Sequence, residues 1–96
     1  MFIVLLKFSN KRDHADDFAD AHMKWVKKGF DDGIFLLAGS IKPGLGGAIL
    51  AFSTSLSDLK KRVNADPFVT GKIVTAEILE IEPGKANERL AFLVED

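Results

Sequence analysis

The sequence predicts a small α+β domain in which helices cover one face of an antiparallel sheet, and three observations support this. Its 96 residues suit one domain and are too few for two. An apolar share of 47%, with eight phenylalanines, can supply a hydrophobic core. Apolar residues alternate in some segments and recur every three or four positions in others. We expect one domain over residues 1–96, with its core in about 1–83 and a tail over 84–96.

The first strand is expected over Phe2–Phe8, a short apolar and β-prone run that ends at Ser9-Asn10. A helix is expected from Asp13 to about Asp31, because its apolar residues fall on one helical face. Acidic residues crowd the start of this segment and lysines its end, which complements the helix dipole. Asp32-Gly33 then predicts a stop and a turn.

Two further strands are expected over Ile34–Ala38 and Ala48–Phe52. The glycine-rich connection between them, residues 39–47, is predicted to be too loose to pack by itself and to form a mobile rim.

A second helix is expected after Ser55, which with Asp58 three positions later is similar to a capping box. Asp66-Pro67 is predicted to end that helix, because the residue before a proline disfavours the helical region. A fourth strand is expected over Ile73–Ile81. The tail has apolar residues at alternate positions, which allows a short last strand through Leu90, Phe92 and Val94.

The order strand, helix, strand, strand, helix, strand is that of a ferredoxin-like βαββαβ sandwich with an antiparallel sheet. Two helices cover one face of such a sheet, yet the strands carry apolar residues on both faces, as Val4 beside Leu5 illustrates. Soluble monomers rarely expose so large an apolar patch. We therefore expect a homodimer, formed sheet against sheet about a two-fold axis.

Charge and cysteine content exclude several classes of protein. Thirteen basic and fourteen acidic residues nearly balance, so we expect neither nucleic acid nor a membrane surface as a partner. RNA-recognition folds share this element order, but Ala48–Phe52 offers no basic residue. With no cysteine, a disulfide scaffold, a thiolate zinc site and a cysteine nucleophile are all excluded. The apolar start Met1–Leu6 is too short for a signal peptide, which predicts a cytoplasmic protein.

His22 is the strongest candidate for a catalytic residue, because it lies on the apolar face of the first predicted helix. A histidine there is either a structural residue with satisfied ring nitrogens or a general acid/base. Asp66 is its best acidic partner, since the two helices lie side by side on such a sheet. An Asp–His pair would orient the imidazole and stabilise its charged form. A helix-ending Asx-Pro turn explains Asp66 equally well.

Other polar residues are weaker candidates. A pocket near His22 is predicted to be lined by Trp25, Gly39, Ser40 and Phe68, although Trp25 also suits the core and Ser40 a loop. No cofactor or metal is expected. His14 stands among the acids Asp13, Asp16 and Asp17, but this spacing is typical of a charged helix start and matches no metal-ligand motif.

Four pieces of sequence together resemble the YciI-like proteins, the family of the YCII-related domain: His22, Gly33, Leu37-Ala38-Gly39 and Asp66-Pro67-Phe68. The resemblance covers the chain from the first strand to about Pro83. It implies a ferredoxin-like fold that pairs into a dimeric α/β barrel, similar to muconolactone isomerase. It also implies a histidine–aspartate dyad, which falls on His22 and Asp66, and one family member is a dehydrochlorinase. Ser40 replaces a frequent proline, and the glycine-rich connection is short, which affects the shape of the pocket.

Two functions follow from these residues. The first is a cofactor-free lyase or isomerase, similar to a dehydrochlorinase, that acts on a small cyclic or unsaturated organic acid through His22 and Asp66. The alternative is a non-catalytic module that binds a small molecule or a partner and keeps the pair as a buried polar contact.

Overall fold

The chain folds as a four-stranded antiparallel sheet with helices on one face, and the computed structural model describes residues 1–94. The order of the strands across the sheet is β2-β3-β1-β4, which is the ferredoxin-like arrangement predicted from the sequence. No helix within residues 1–94 is long and apolar enough to span a bilayer. The elements are β1 (Phe2–Phe8), a 3-10 helix (Arg12–Asp17), α1 (Ala19–Asp31), β2 (Phe35–Ile41), β3 (Gly46–Ala51), α2 (Leu56–Asn64), α3 (Pro67–Thr70), β4 (Val74–Glu80) and a second 3-10 helix (Glu88–Leu93).

The core lies between the helices and the inner face of the two central strands. Strand β1 alternates, with Val4 fully buried between buried neighbours two positions away on either side. Its antiparallel partner is Ile49 of β3. Helix α2 contributes Leu59 and Val63, which are both fully buried and pack on the inner face of the sheet. The buried apolar cluster is Phe2, Val4, Leu6, Phe35, Ile49, Ala51, Leu59, Val63, Ile73 and Val74.

The first predicted helix is two helices. Residues Arg12–Asp17 form a 3-10 helix with no buried residue, and the α-helix begins only at Ala19. Aspartate-rich sequence is a poor α-helix former, because its carboxylates compete for backbone N–H groups. Arg12 also anchors this segment to the β2–β3 turn, since its Nη2 donates to the Gly44 carbonyl.

The glycine-rich connection is a tight hairpin, so the prediction of a loose rim was wrong. Strand β2 continues through Gly39 to Ile41, and β3 already begins at Gly46. The register pairs Ser40 with Gly47, which leaves residues 42–45 as the turn. Glycine is required at 46, because its φ is +141° and a side chain there would collide with the Leu6 carbonyl oxygen.

Asp66 does not only end α2, as the sequence predicted; it begins the next helix. Its Oδ1 accepts a hydrogen bond from the Phe68 N–H, and Pro67 occupies the first position of α3. An acidic N-cap followed by proline is a regular helix start, because proline needs no hydrogen-bond acceptor there.

The tail also differs from its prediction, because residues Glu88–Leu93 form a 3-10 helix and not a strand. Asn87 caps this helix by accepting a hydrogen bond from the Arg89 N–H. The Phe92 ring packs edge-on against Phe52, with ring centroids 5.3 Å apart.

The outer face of the sheet is apolar, as predicted. The alternation that buries Val4 turns Ile3 and Leu5 outward, where they pair with Leu50 and Ala48 of β3. Leu37 of β2 is 55% exposed. Together these side chains form a continuous apolar surface, which we call the outer face: Ile3, Leu5, Leu37, Ile41, Ala48, Leu50 and Leu79.

Candidate active site

His22 and Asp66 are joined by a short hydrogen bond. The distance from His22 Nδ1 to Asp66 Oδ1 is 2.7 Å. The His22 side chain is 15% exposed and that of Asp66 is fully buried. Helix α1 presents His22 at the end of its first turn, and the turn between α2 and α3 presents Asp66. Because Nδ1 is held by the carboxylate, Nε2 is the ring nitrogen that remains for other partners.

The Asp66 carboxylate is fixed on one side and unpaired on the other. Oδ1 accepts from both His22 and the Phe68 N–H, the latter at 3.0 Å. Oδ2 is buried and has no hydrogen-bond partner within the described residues. A fully buried carboxylate is costly unless it is paired, so the contact with His22 is central to this site.

Two aromatic rings restrain the imidazole. The Phe68 ring lies parallel to that of His22, with centroids 4.0 Å apart and planes inclined by 8°. Trp25 lies further away, at 5.8 Å, and its Nε1 donates to the Arg62 carbonyl. The histidine side chain is thus held by a carboxylate at its edge and by an aromatic face.

A cavity of about 300 Å³ opens beside His22, between α1 and the inner face of the sheet. This volume is at the lower end of the range for ligand pockets, roughly 300 to 1,000 Å³. All four strands and the helices α1 and α3 contribute to its wall. The lining residues are Leu6, Phe8, His22, Met23, Val26, Ala38, Gly39, Ser40, Gly46, Gly47, Ala48, Ile49, Phe68 and Val74.

The residues singled out in the sequence divide into two groups. Four of them, His22, Gly39, Ser40 and Phe68, line the cavity. Trp25 does not: it borders a separate surface groove on the other side of α1. Asp66 lies behind His22, in contact with its ring nitrogen.

Sequence reasoning missed several lining residues, of which Met23 and Val26 on α1 are the clearest. Val26 is four positions after His22, and therefore on the same side of the helix. That spacing was a usable signal. The contributions of Gly46 and Gly47 could not be found, because they depend on the hairpin that the sequence did not indicate.

The cavity wall carries little charge. His22 is the single ionisable side chain among its lining residues. Arg12 comes near, but its guanidinium lies over the Phe8 ring, 4.8 Å from the centroid, and donates to Gly44. No group of three or more His, Asp or Glu side chains within residues 1–94 is placed to hold a metal ion. His14 forms an exposed contact with Asp17 at 3.9 Å.

An ion pair on the far side of α1 ties this helix to α2. Arg62 Nη2 lies 3.0 Å from Asp32 Oδ2, and Lys28 adds a second contact at 3.3 Å. Hydrogen bonds from Arg62 and then Lys28 hold the pKa of the Asp32 carboxyl below its usual value. Neither Asp32 nor Arg62 lines the cavity, so this pair joins two helices of the scaffold and takes no part in the cavity wall.

Comparison with known proteins gives a fold but no family. No protein-family model matches the sequence, and no curated protein matches it. Among solved structures, 5-chloro-2-hydroxyhydroquinone dehydrochlorinase (TftG) from Burkholderia phenoliruptrix AC1100 superposes with a TM-score of 0.69. The alignment covers 88% of this chain and 96% of that one. The two chains share a fold. Their sequence identity is 14%, and the TftG structure is a complex with 2,5-dihydroxybenzoquinone.

Proposed function

We propose that this protein is a cofactor-free acid/base enzyme, a lyase or isomerase of the YciI-like type that acts on a small cyclic or unsaturated organic acid. The observation that carries the proposal is the hydrogen-bonded His22–Asp66 pair at the wall of a small apolar cavity. A general base needs a nitrogen directed at the substrate, a partner that fixes the other nitrogen, and limited access for water. The fold shared with TftG supports an enzyme that acts on a small molecule.

In this mechanism His22 Nε2 accepts a proton from the substrate and becomes an imidazolium. Asp66 stabilises that charge through Nδ1 and keeps the ring in one tautomer, as the aspartate of a catalytic triad does. Phe68 stacks on the imidazole face and limits its rotation. Ser40 offers a hydroxyl from β2 to a substrate oxygen.

The proton transfer admits two outcomes. In an elimination, the electron pair of the broken C–H or O–H bond forms a new double bond, and chloride leaves with the electron pair of the C–Cl bond. His22 then releases its proton to water. In an isomerisation, His22 returns the proton to a different carbon of the same molecule. Neither route requires an oxidant or a cofactor.

The test compares two histidine variants. His22→Gln should lower turnover by about 100-fold or more on small lactones, hydroxyquinones and their chlorinated forms, because it removes the base. His14→Gln is the matched control, since His14 is exposed and does not line the cavity. Circular dichroism establishes that both variants fold. Turnover that survives His22→Gln would overturn the proposal.

The alternative is a non-catalytic binding module, and one observation favours it. The same Asp66 oxygen that holds His22 also caps α3, so the pair joins α1 to α3 whether or not a reaction occurs. If this alternative holds, a specific metabolite should raise the melting temperature of the wild-type protein without being converted to a product. The variant His22→Gln should then lose stability and no activity.

We also propose a homodimer through the outer face. That face is apolar at its centre and carries an unpaired charge of each sign: Lys7 on β1, and Glu77 on β4 opposite Leu5. Neither charge forms an ion pair within residues 1–94. A two-fold axis that passes between these two residues would bring Lys7 of one copy towards Glu77 of the other, and the face would then be complementary to itself in both hydrophobicity and charge.

A further inference from the structure

The charges of the cavity wall restrict what it can hold. Of its lining residues, only His22 is ionisable, and the polar atoms that accompany it are the Ser40 hydroxyl and backbone groups. No lysine or arginine stands among them. An ionised carboxylate transferred into such surroundings loses hydration and meets no lysine or arginine in the wall, because Arg12 stacks on the Phe8 ring and donates to Gly44 instead.

His22 cannot supply that cation and also act as the base. An imidazolium bound to a substrate carboxylate already carries the proton that the reaction requires it to accept. Its Nδ1 side is already occupied by the buried Asp66 carboxylate. The two roles exclude each other, and the proposed function requires the base.

The net charge of the site before and after proton transfer also disfavours a substrate with a carboxylate. With a neutral substrate, the site holds one negative charge on Asp66 before proton transfer. After transfer, the imidazolium and the substrate anion cancel, and the net charge is still that of Asp66. With a carboxylated substrate, the net charge of the same site would be −2 both before and after the step. Like charges so close together destabilise each other.

We propose that the substrate is a small hydroxylated or carbonyl-bearing ring without a carboxylate group, whose acidic proton lies on a ring hydroxyl or an activated C–H. This inference rests on the proposed function and narrows its organic acid to enols, phenols and related ring compounds. The Phe68 ring and the aliphatic wall contact the ring faces, and Ser40 and His22 take its oxygen atoms.

The test is a binding comparison between hydroquinone and 2,5-dihydroxybenzoate, which differ by one carboxylate. Chemical shifts of the full chain are followed by NMR during titration with each compound. Hydroquinone should bind about 10-fold more tightly or better, with shifts at His22, Met23 and Ser40. Equal or tighter binding of 2,5-dihydroxybenzoate overturns the proposal, and so does binding of neither compound.

A charge added to the wall sharpens the comparison. Met23 lines the cavity but is 59% exposed, so Met23→Lys should fold and should tighten 2,5-dihydroxybenzoate binding by about 10-fold. Ala21→Lys is the matched control, because it adds the same charge to an exposed position on α1 outside the wall. An equal gain in both variants would contradict a local effect.

The binding preference is measured independently of turnover. If hydroquinone binds but no ring compound is converted, only the proposal that the protein is an enzyme is overturned.

Discussion

His22 Nδ1 and Asp66 Oδ1 lie 2.7 Å apart although 44 positions separate the two residues in the chain. Asp66 gives this contact its rigidity, because the same oxygen is also held by the Phe68 N–H. The contact occupies Nδ1, so Nε2 is the ring nitrogen that remains for a molecule in the cavity that His22 lines.

A double-mutant cycle on this pair should show strong coupling. Asp66→Asn keeps an oxygen for the Phe68 N–H and removes the charge, and His22→Gln removes the imidazole. We expect a coupling free energy of about 1–3 kcal/mol, because the two groups share one buried contact. Urea unfolding of the four proteins measures it. Additive losses would mean that the contact contributes nothing to stability.

Phe68→Leu should separate the stacking contact from the apolar wall. Leucine preserves an apolar side chain but has no ring face, so we expect a loss of about 1 kcal/mol. The His22 ring protons should move downfield in NMR spectra, because they lose the shielding of the parallel Phe68 ring. The His14 ring signals in the same spectra are the internal control. Unchanged His22 signals would show that the rings do not stack in solution.

Gly46→Ala should destabilise the domain by about 3 kcal/mol or more, because a methyl group there meets the Leu6 carbonyl at a backbone angle unsuited to side chains. Gly39→Ala is its control within the same hairpin, since a methyl group at 39 meets nothing within 4 Å. Thermal unfolding compares the two. Equal effects would argue against the close approach of β3 to β1.

The Asp32–Arg62 pair should make stability depend on pH in the acid range. The pKa of Asp32 is lowered in the folded protein, so its contribution is fully present above the unfolded value of about 4. That contribution is lost as the pH falls through the lower, folded pKa. Melting curves from pH 2 to 6 should therefore converge for wild type and Asp32→Asn at the acid end. A constant difference across that range would contradict this origin.

Leu50→Lys should convert the proposed dimer to monomers, because it places a charge at the centre of the outer face, between Ile3 and Leu37. Sedimentation velocity measures the change, and Ala21→Lys on the helical side controls for added charge. A wild-type chain that sediments as a monomer at micromolar concentration would overturn the dimer.

Sequence periodicity was sufficient for the sheet and for the helix that carries His22. Alternation in β1 and the helical spacing around His22 both reflect burial of one face, which sequence records directly. The layout of the fold predicted that His22 could approach Asp66, because the two helices lie side by side on such a sheet. His22 lies on the predicted first helix, whereas Asp66, expected at the end of the second helix, is the N-cap of α3.

Two local features were not predictable in the same way. Glycines 39, 46 and 47 disfavour strands as isolated residues, yet Gly46 is required by the closeness of another strand, which only the tertiary structure reveals. The alternating tail residues resembled a strand, but the segment does not pair with the sheet and forms a 3-10 helix capped by Asn87. The helix start at Asp66 could have been predicted from the sequence, since aspartate followed by proline is a regular way to begin a helix.

The cavity wall also has a consequence for folding, because its residues span positions 6 to 74. Helix α3 and β4 complete the wall, and β4 joins the sheet only by pairing with β1 across most of the chain length. A partly folded chain therefore has no site, and any compound that occupies the cavity binds the native state alone. Such a compound should slow unfolding of the whole domain while leaving its folding rate almost unchanged.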